Sequence, residues 1–413
     1  MSDDMNKTVA RCRARIEARD SEVLAWKTLD WDFVERQIDE LTARPIEDRG
    51  PLFGLPVGIK DIFDTADLPT GYGSPIYEGH QPSADAAAVA RLRAAGAIIL
   101  GKAVSTEFAY WKAGPTRNPL DLARSPGGSS SGSVAAVADA MVPLAIGSQT
   151  AASTIRPAAY CGIVGFKPTI GLISLAGVKA LSNSLDTVGV FAKDVAGAAL
   201  LFGVLAGRPG LMAKMELASP PRLALRKSPE WENVAPAALN AVEKTTALAA
   251  QHGADVITDD VPSAFADLAG IQTTIMAYEA ARELAHERRC HFDVLSQPLR
   301  DLLTDGERIS AIAYDDACRQ RDKCLSEIDS LFGDADILLA PSALGEAPMF
   351  EDGTGDPAMS RAWTLLGLPS ITLPCGTGEN GLPLGLQIAA RPRHDDTLLT
   401  IAAWLEQLLA SAP

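Results

Sequence analysis

Residues 125–133 read Ser-Pro-Gly-Gly-Ser-Ser-Ser-Gly-Ser, and residues 148–157 read Ser-Gln-Thr-Ala-Ala-Ser-Thr-Ile-Arg-Pro. The small side chains in both stretches allow backbones to approach each other closely. An alanine-rich helical pattern at 134–141 follows the first stretch, and a strand-like run at 142–146 leads into the second. Taken alone, a loop rich in glycine and serine is equally typical of a flexible turn. Here the loop opens a helix, where backbone N–H groups converge and can bind an anion or an oxyanion.

Outside these loops, short apolar runs alternate with helical patterns. Residues 52–60 form an apolar run that closes on Lys60, as a strand running into a loop does. Asp85 is the expected N-cap of a helix that stops at Gly96, and residues 97–100 are typical of a buried strand. Further along we expect strands at 222–225, 255–257, 336–340 and 370–373, and helices at about 236–251 and 264–331. The alternation predicts an α/β protein, in which helices cover both faces of one mixed sheet.

The composition excludes several classes of protein. The chain has 413 residues, of which 47% are hydrophobic, and a formal net charge of −15. Disordered, collagen-like and coiled-coil proteins do not have this composition. An acidic chain lacks the clustered Lys and Arg that nucleic-acid binding needs, so we expect no nucleic-acid partner.

Patterns for targeting and for metal binding are missing from the sequence as well. Six scattered cysteines without a C-x-x-C pair fit neither a disulfide framework nor a zinc site, and they favour a reducing cytoplasm. The acidic N-terminus is unlike a signal peptide, and no apolar run is long enough to span a membrane. Asp61, Asp64 and Asp67 lack metal-ligand spacing and histidine partners, so we expect them to be solvated or to cap backbone groups. The sequence predicts a soluble, cytoplasmic protein without a metal site.

Ser129 and Ser153, one in each small-residue loop, are candidate nucleophiles. A serine needs a base to become nucleophilic, and the base is usually histidine. None of the five histidines lies in the serine-rich region, and the G-x-S-x-G pattern of α/β-hydrolases is missing around Ser153. Lys60 stands among apolar residues, where desolvation disfavours the charged amine and leaves a neutral one able to accept a proton. Lysine is therefore the predicted base.

Four motifs follow one another along the first half of the chain. They are Gly-Ile-Lys-Asp at 58–61, Gly-Gly-Ser-Ser-Ser-Gly-Ser at 127–133, Ser-Thr-Ile-Arg-Pro-Ala-Ala-Tyr-Cys-Gly at 153–162 and Gly-Phe-Lys-Pro-Thr at 165–169. In order and spacing they are similar to the motifs of the amidase signature family. Gly-Leu-Pro at 367–369 and Gly-Leu-Pro-Leu-Gly-Leu-Gln at 381–387 extend the resemblance over nearly the whole chain. The length and the variants at 149–150 and 155–157 most resemble malonamidase-type members of that family.

The resemblance implies a fold and a domain organisation. The implied fold is a single large α/β/α sandwich around a mixed sheet of about eleven strands. It would form one domain over 1–413, with N-terminal helices at about 5–44, a core at about 50–200 and a more variable substrate-pocket region at about 265–360. A homodimer, acting on a small amide without metal or organic cofactor, is implied as well.

The resemblance also implies the chemistry. Ser153 would be the nucleophile, Ser129 a bridging serine after a cis peptide bond, and Lys60 the base, with Ser130 in support. Lys60 would take a proton from Ser129, and Ser129 would take one from Ser153. Attack on an amide carbonyl then gives an acyl-enzyme that water hydrolyses. The implied activity is hydrolysis of an amide C–N bond to a carboxylate and ammonia or an amine.

The turn before the nucleophile departs from the family pattern at two places. The family usually has Gly-Gly where this chain has Ala151-Ala152, and an alanine with a positive φ would cost about 1 kcal/mol. Gln149 stands where the family commonly has Asp. We therefore expect an oxyanion loop of different shape. The backbone N–H groups implied to hold the oxyanion are those of Thr150, Ala151, Ala152 and Ser153.

Three further residues are candidate substrate contacts. Arg156 either pairs with a structural carboxylate or caps a helix, or its planar guanidinium binds the carboxylate of a malonamate-like acid amide. Tyr110 and Trp111 follow a stretch that lies beside the site in family members. We expect these two aromatic residues either to form a pocket wall or to pack in the core.

Other functions stay open at this stage. The same triad could cleave carbamates, ureas or esters, because all of them pass through a similar oxyanion. The chain could also be the ammonia-releasing component of a tRNA-dependent amidotransferase that acts with partner subunits, although its short length and acidic balance disfavour this. A silent binding scaffold is disfavoured because Lys60, Ser129 and Ser153 occur together.

Overall fold

The computed structural model describes residues 2–208 and 217–411. Eleven strands lie in this part: β1 (Trp26–Leu29), β2 (Pro56–Lys60), β3 (Ile98–Ala103), β4 (Leu144–Gln149), β5 (Val164–Lys167), β6 (Thr187–Ala192), β7 (Arg222–Lys227), β8 (Asp255–Asp260), β9 (Ile337–Pro341), β10 (Ser370–Thr377) and β11 (Pro383–Ala390). They form one sheet in the order β1-β3-β2-β4-β6-β5-β10-β11-β9-β7-β8. β2 runs parallel to β3 and β4, β7 runs parallel to β8 and β9, and the other pairs are antiparallel. The expected mixed sheet is confirmed.

Fourteen α-helices of the described chain pack around this sheet: α1 (Ser2–Val23), α2 (Trp31–Ala43), α3 (Ala87–Ala94), α4 (Ser131–Ala138), α5 (Ile155–Tyr160), α6 (Val195–Leu205), α7 (Pro236–Gln251), α8 (Leu268–Glu283), α9 (Ala285–Cys290), α10 (Gln297–Arg308), α11 (Ala311–Ser326), α12 (Ile328–Phe332), α13 (Ala358–Leu365) and α14 (Asp395–Ser411). Among these described helices, none has the combination of length and apolar character that crossing a membrane requires.

The central strands bury side chains on both faces. Successive residues of a strand point to opposite sides of the sheet. Ile99 of β3 and Val190 of β6 belong to the larger core, which also contains α3, α6 and α14. Their neighbours Ile98 and Phe191 belong to a second core, which contains α1 and α4. Two cores on opposite faces of one sheet make an α/β/α sandwich, as predicted.

Most of the predicted elements are confirmed, and four strands are new, namely β1, β5, β6 and β11. The helix expected at about 236–251 is α7, and the strand expected at 97–100 is β3. β1 lies between α1 and α2 and pairs with β3 at the edge of the sheet. Four residues between two helical patterns give no alternation long enough to recognise as a strand.

The predicted N-cap of α3 is wrong. The helix begins at Ala87, and Asp85 lies before it. The Asp85 carboxylate accepts a hydrogen bond of 2.8 Å from the Ala66 N–H and pairs with Arg93 at 2.8 Å. These two contacts occupy the carboxylate that would otherwise cap the helix.

The helix α4 carries the first serine-rich loop into the centre of the molecule. It begins at Ser131, three residues before the predicted start. A Cβ on Gly132 would lie 2.2 Å from the Ala25 carbonyl oxygen and 2.3 Å from the Val104 nitrogen, so only glycine permits this approach. Close packing of the helix start against the segment after β3 thereby fixes the position of Ser129.

Candidate active site

Lys60 is the last residue of β2, whose parallel neighbours are β3 and β4. Its side chain is fully buried. The Lys60 Nζ atom lies 2.7 Å from Ser129 Oγ and 2.8 Å from Ser148 Oγ. Parallel strands end at the same edge of a sheet, so Lys60 at the end of β2 and Ser148 near the end of β4 come together. The predicted base and the predicted bridging serine are therefore in hydrogen-bond contact.

The surroundings of Lys60 favour its neutral form. Burial lowers the pKa of Lys60 to about 7, and the negative charge of Asp186 opposes this shift. Burial raises the pKa of Asp186 to about 6, although a 2.5 Å hydrogen bond from Thr150 Oγ1 acts in the other direction. An unperturbed lysine has a pKa near 10.4. A pKa near 7 means that both the charged and the neutral amine are populated near neutral pH.

Ser129 and Ser130 precede α4 and make different contacts: Ser129 contacts Lys60, and Ser130 contacts the backbone of Ser148. The peptide bond between Gly128 and Ser129 is cis, as the family resemblance implies. Ser130 acts through the backbone of Ser148: its Oγ donates to the Ser148 carbonyl at 3.2 Å and accepts from the Ser148 N–H at 3.3 Å. Because Ser148 contacts Lys60, Ser130 supports the lysine indirectly.

Gln149 shapes the turn between β4 and α5. Its Oε1 accepts hydrogen bonds from the N–H groups of Thr154 at 2.9 Å and Ile155 at 3.1 Å. Its Nε2 donates to Thr364 Oγ1 at 2.9 Å, and that hydroxyl donates to the Ala151 carbonyl at 2.7 Å. The amide side chain thus ties the start of α5 to the turn and to α13.

Ala151 and Ala152 fit this turn without left-handed backbone conformations. Neither residue has a positive φ, so the strain that alanine would cause at such a position does not arise. Within residues 2–208 and 217–411, the backbone N–H groups of Ala151, Ala152 and Ser153 donate to no protein oxygen. Three adjacent donors are therefore available beside the candidate nucleophile.

A cavity of about 100 Å³ lies over these residues. Ser129 and residues 150–153 line it, together with Tyr110 and Trp111. The helices α8, α10 and α13 complete the wall, the last of them through Arg361. Tyr110 also packs against the larger core, whereas Trp111 is exposed. Ser129, which contacts Lys60, and the turn with the free N–H groups thus line the same small cavity.

Comparisons with known proteins agree with this arrangement. The sequence pattern of the amidase family matches residues 7–399. The chain belongs to the amidase family. Hydrolases of this family act on amide C–N bonds.

Relatives and solved structures resemble this amidase over nearly its whole length. The A-type component of the glutamyl-tRNA(Gln) amidotransferase of Koribacter versatilis (strain Ellin345) is 32% identical to it over 96% of this chain and 93% of the relative. A crystal structure of an amidase has 29% identity and a TM-score of 0.88, and the match covers 97% of this chain and 95% of the other. The peptide amidase of Stenotrophomonas maltophilia has 28% identity and a TM-score of 0.87, with 99% and 94% covered.

In this amidase Arg156 contacts neutral oxygens. Its Nη2 donates to the Gly128 carbonyl at 2.8 Å and to Thr354 Oγ1 at 3.3 Å, and its Nη1 donates to the Gly355 carbonyl at 2.6 Å. Among the described residues no carboxylate lies within ion-pair distance of it, so the predicted structural pairing is not found. Arg156 lines the cavity, and its Nε is buried without a hydrogen-bond partner.

The acidic cluster that follows β2 has protein partners. Asp61 is buried rather than solvated, and it meets the other expectation, that of capping a backbone group. It accepts a hydrogen bond from the Gly71 N–H and lies 3.5 Å from Lys102 Nζ. Asp64 accepts a hydrogen bond from a tyrosine hydroxyl, and Asp67 forms an ion pair with an arginine. In the part of the chain that the structure describes, no three His, Cys, Asp or Glu residues are grouped to hold a metal ion.

Sequence reasoning assigned no role to Ser148, Asp186 or Arg361. Ile59 pairs with Ile146, so the register of the parallel strands places Gly147 beside Lys60, and no pattern in the sequence marked the contact between Lys60 and Ser148. Asp186 and Arg361 lie far along the chain from Lys60, and no local pattern marks them. Their proximity to the site depends on the tertiary fold.

Proposed function

We propose that this amidase hydrolyses a small amide to a carboxylate and ammonia or an amine. Ser153 is the nucleophile, Ser129 the bridging serine and Lys60 the base. The observation that carries the proposal is the 2.7 Å contact between the buried Lys60 amine and Ser129 Oγ, because this distance is short enough for proton transfer.

The first step activates the nucleophile. Neutral Lys60 accepts the Ser129 proton while Ser129 accepts the Ser153 proton, and Ser153 Oγ attacks the carbonyl carbon. A C–O bond forms as the carbonyl electron pair moves onto oxygen. The free N–H groups of Ala151, Ala152 and Ser153 are the proposed donors to this oxyanion, and Thr150 holds the start of the turn through Asp186.

The second step releases the products. The proton returns from Lys60 through Ser129 to the substrate nitrogen, the C–N bond breaks, and an ester on Ser153 remains. Water transfers a proton to the same relay and attacks this ester. The carboxylate then leaves, and Ser153 regains its hydroxyl proton.

The cavity favours a small substrate that carries a carboxylate. Its volume of about 100 Å³ is below the range of about 300–1,000 Å³ that holds drug-sized ligands. The charged side chains that line it are Arg156 and Arg361. We therefore propose a malonamidase-type preference for an acid amide. Tyr110 and Trp111 are the proposed wall against which the substrate packs.

Ammonia release from malonamate, propionamide and benzamide tests the proposal. We expect no turnover by Ser153→Ala, and a loss of about 10²–10⁴-fold in Lys60→Ala, because the relay needs both groups. Ser326→Ala, an exposed serine at the end of α11 that does not line the cavity, serves as a control with near-normal rates. Near-normal rates in Ser153→Ala or Lys60→Ala would refute the mechanism.

A second candidate function is ammonia release as the A-type component of an amidotransferase. The 32% identity to such a component favours it. Copurification with partner subunits, together with ammonia release from glutamine only in their presence, would support this candidate.

Rates on a matched amide and ester pair separate an amidase from a carbamate, urea or ester hydrolase. The cytoplasmic location and the homodimer remain predictions from the sequence.

A further inference from the structure

We propose that Arg361 binds the carboxylate of the substrate, which we take to be the monoamide of a short dicarboxylic acid. This inference rests on the proposed amide hydrolysis at Ser153 and specifies the substrate class of that site. Arg361 belongs to α13 and lines the same cavity as Ser153.

The guanidinium of Arg361 has a free edge. Its Nη1 donates a long hydrogen bond of 3.4 Å to Thr273 Oγ1 on α8. Its Nε is buried and has no hydrogen-bond partner among the described residues. A buried donor without a partner costs about 1–3 kcal/mol, so a ligand that accepts from it is favoured. The edge formed by Nε and Nη2 has the fork geometry that a carboxylate accepts from bidentately.

Arg156 is less suited to direct contact with the substrate. Both of its Nη atoms already donate to protein oxygens, at Gly128, Thr354 and Gly355, so its unpartnered Nε is the one donor atom left and no two-atom edge is free for a carboxylate. Its charge nevertheless adds to the positive potential of the cavity, and the two arginines interact electrostatically. Two cations that lie close together repel each other, so the binding of an anion between or beside them is favourable.

The nearby carboxylates do not neutralise Arg361. Asp301 accepts a hydrogen bond from Gln297, and Asp305 pairs with Arg308. Asp356, which acts on Arg156, accepts from a backbone N–H. In the described part of the chain, none of these carboxylates forms an ion pair with Arg361. The anion that completes the cavity therefore comes from the substrate.

The experiment compares charged and neutral amides of equal chain length. Steady-state kinetics of ammonia release are measured on malonamate against propionamide, and on succinamate against butyramide, for the wild type, Arg361→Gln and Arg361→Lys. We expect the wild type to prefer the charged amide of each pair. In Arg361→Gln the ratio of kcat/KM for charged over neutral amide falls about 10–100-fold, because a charge-assisted contact is lost. Arg361→Lys restores part of this ratio, since it keeps the charge but not the fork.

The matched control is Arg319→Gln. Arg319 lies on α11, is exposed, and does not line the cavity. The substitution removes the same charge, and we expect it to leave the ratio unchanged. Circular dichroism of each variant establishes that it is folded.

The outcomes separate this inference from the proposed function. If the wild type hydrolyses amides but shows no preference for the charged ones, or if Arg361→Gln leaves the ratio unchanged, the inference is wrong and the amidase function stands. If no amide releases ammonia, the proposed function fails. In that case calorimetric titration of malonate and succinate decides the anion site: binding by the wild type and not by Arg361→Gln supports it, and equal binding or none overturns it.

Discussion

The Lys60 amine is fully buried, and its nearest polar contacts are two serine hydroxyls. Hydroxyl groups stabilise an ammonium less than a carboxylate does, so burial dominates and the pKa falls to about 7. Lys102 is comparably buried, but Asp61 lies 3.5 Å from it, and its pKa falls only to about 8. Lys102 thus has a carboxylate within ion-pair distance, whereas among the described residues Lys60 has none.

The pH dependence of hydrolysis should report this lysine. We expect kcat/KM to rise with pH through a midpoint near 7, because only the neutral amine accepts a proton. Asp186→Asn should move the midpoint to lower pH, since the carboxylate raises the pKa of Lys60 and its removal takes that effect away. Rates on a neutral amide over about pH 5–9, measured by ammonia release, check both expectations.

A second buried lysine supplies the control. Burial also lowers the pKa of Lys167 to about 7, and Asp395 opposes that shift. Asp395→Asn therefore changes the surroundings of a similar lysine that has no contact with Ser129 or Ser153. If the midpoint of the pH profile moves in Asp395→Asn and stays in Asp186→Asn, then Lys60 is not the group whose titration sets that midpoint.

At the scale of elements, the turn between β4 and α5 decides how Ser153 is presented. Gln149 accepts from two N–H groups at the start of α5 and reaches Thr364 of α13 with its amide nitrogen. An aspartate, common in the family at this position, has a shorter side chain and no N–H to donate. Glutamine here is thus matched to a hydroxyl on a distant helix, and the sequence alone did not reveal this partner.

Gln149→Ala should destabilise the protein and slow hydrolysis. The substitution leaves the buried N–H groups of Thr154 and Ile155 without their acceptor, at a cost of about 2–4 kcal/mol in the free energy of unfolding. The turn that carries Ser153 also loosens, so kcat falls. Urea denaturation and ammonia release measure the two effects.

Thr364→Val is the partner variant for that experiment. It removes the hydroxyl between Gln149 and the Ala151 carbonyl. The hydrogen bonds from the N–H groups of Thr154 and Ile155 to Gln149 Oε1 stay in place. We expect a smaller loss of stability than in Gln149→Ala. Equal stability of Gln149→Ala and the wild type would show that the hydrogen bonds of Gln149 to the start of α5 do not stabilise the fold.

The segment before the cavity wall is strained. Phe108, Ala109 and Trp111 have φ values of 46°, 59° and 21°, in the left-handed region that residues with a side chain seldom adopt. Each such residue costs on the order of 1–3 kcal/mol unless its surroundings enforce the conformation. The Phe108 N–H donates to the Tyr72 carbonyl at 2.8 Å, and this contact helps to hold the segment. The strained backbone lies where two aromatic side chains reach the cavity.

The sequence predicted most of the elements and the contact between Lys60 and Ser129, and the reasons are local. Ser129 and Ser153 lie in loops whose composition is visible in a short window, and Lys60 closes an apolar run. Arg361 and Asp186 were missed because single residues on ordinary elements carry no such signal. Packing of the tertiary fold brings Arg361 to the cavity and Asp186 to Thr150.

On the scale of the whole molecule, the order of the strands places Lys60, the proposed base, near one end of a long sheet. β2 has two strands outside it on one side, β3 and β1, and the rest of the sheet on the other. The helices α8, α10 and α13, from the second half of the chain, close the cavity over residues that come from the first half. A substrate site built this way needs the complete fold, although the proposed catalytic residues, Lys60 to Ser153, span fewer than a hundred positions.

A sheet of this length has two edges, and each is protected differently. β1 at one edge has only four residues, and short edge strands offer little backbone for pairing. β8 at the other edge is longer and largely exposed, but its sequence is Asp-Val-Ile-Thr-Asp-Asp. Negative side chains on an edge strand oppose pairing with a second copy of the same strand.

Removal of these charges should make the protein aggregate faster. The double variant Asp255→Asn, Asp260→Asn leaves the ion pair of Asp259 with Arg226 intact and removes two charges from the edge. Light scattering near the midpoint of thermal unfolding should rise faster than in the wild type, because the exposed N–H and C=O groups of β8 then meet less repulsion. The variant Asp39→Asn, Glu40→Gln removes the same net charge from the exposed helix face of α2 rather than from an edge strand, and should scatter like the wild type. If the two double variants aggregate at the same rate, net charge rather than its position on β8 controls association, and the protective role of this edge is wrong.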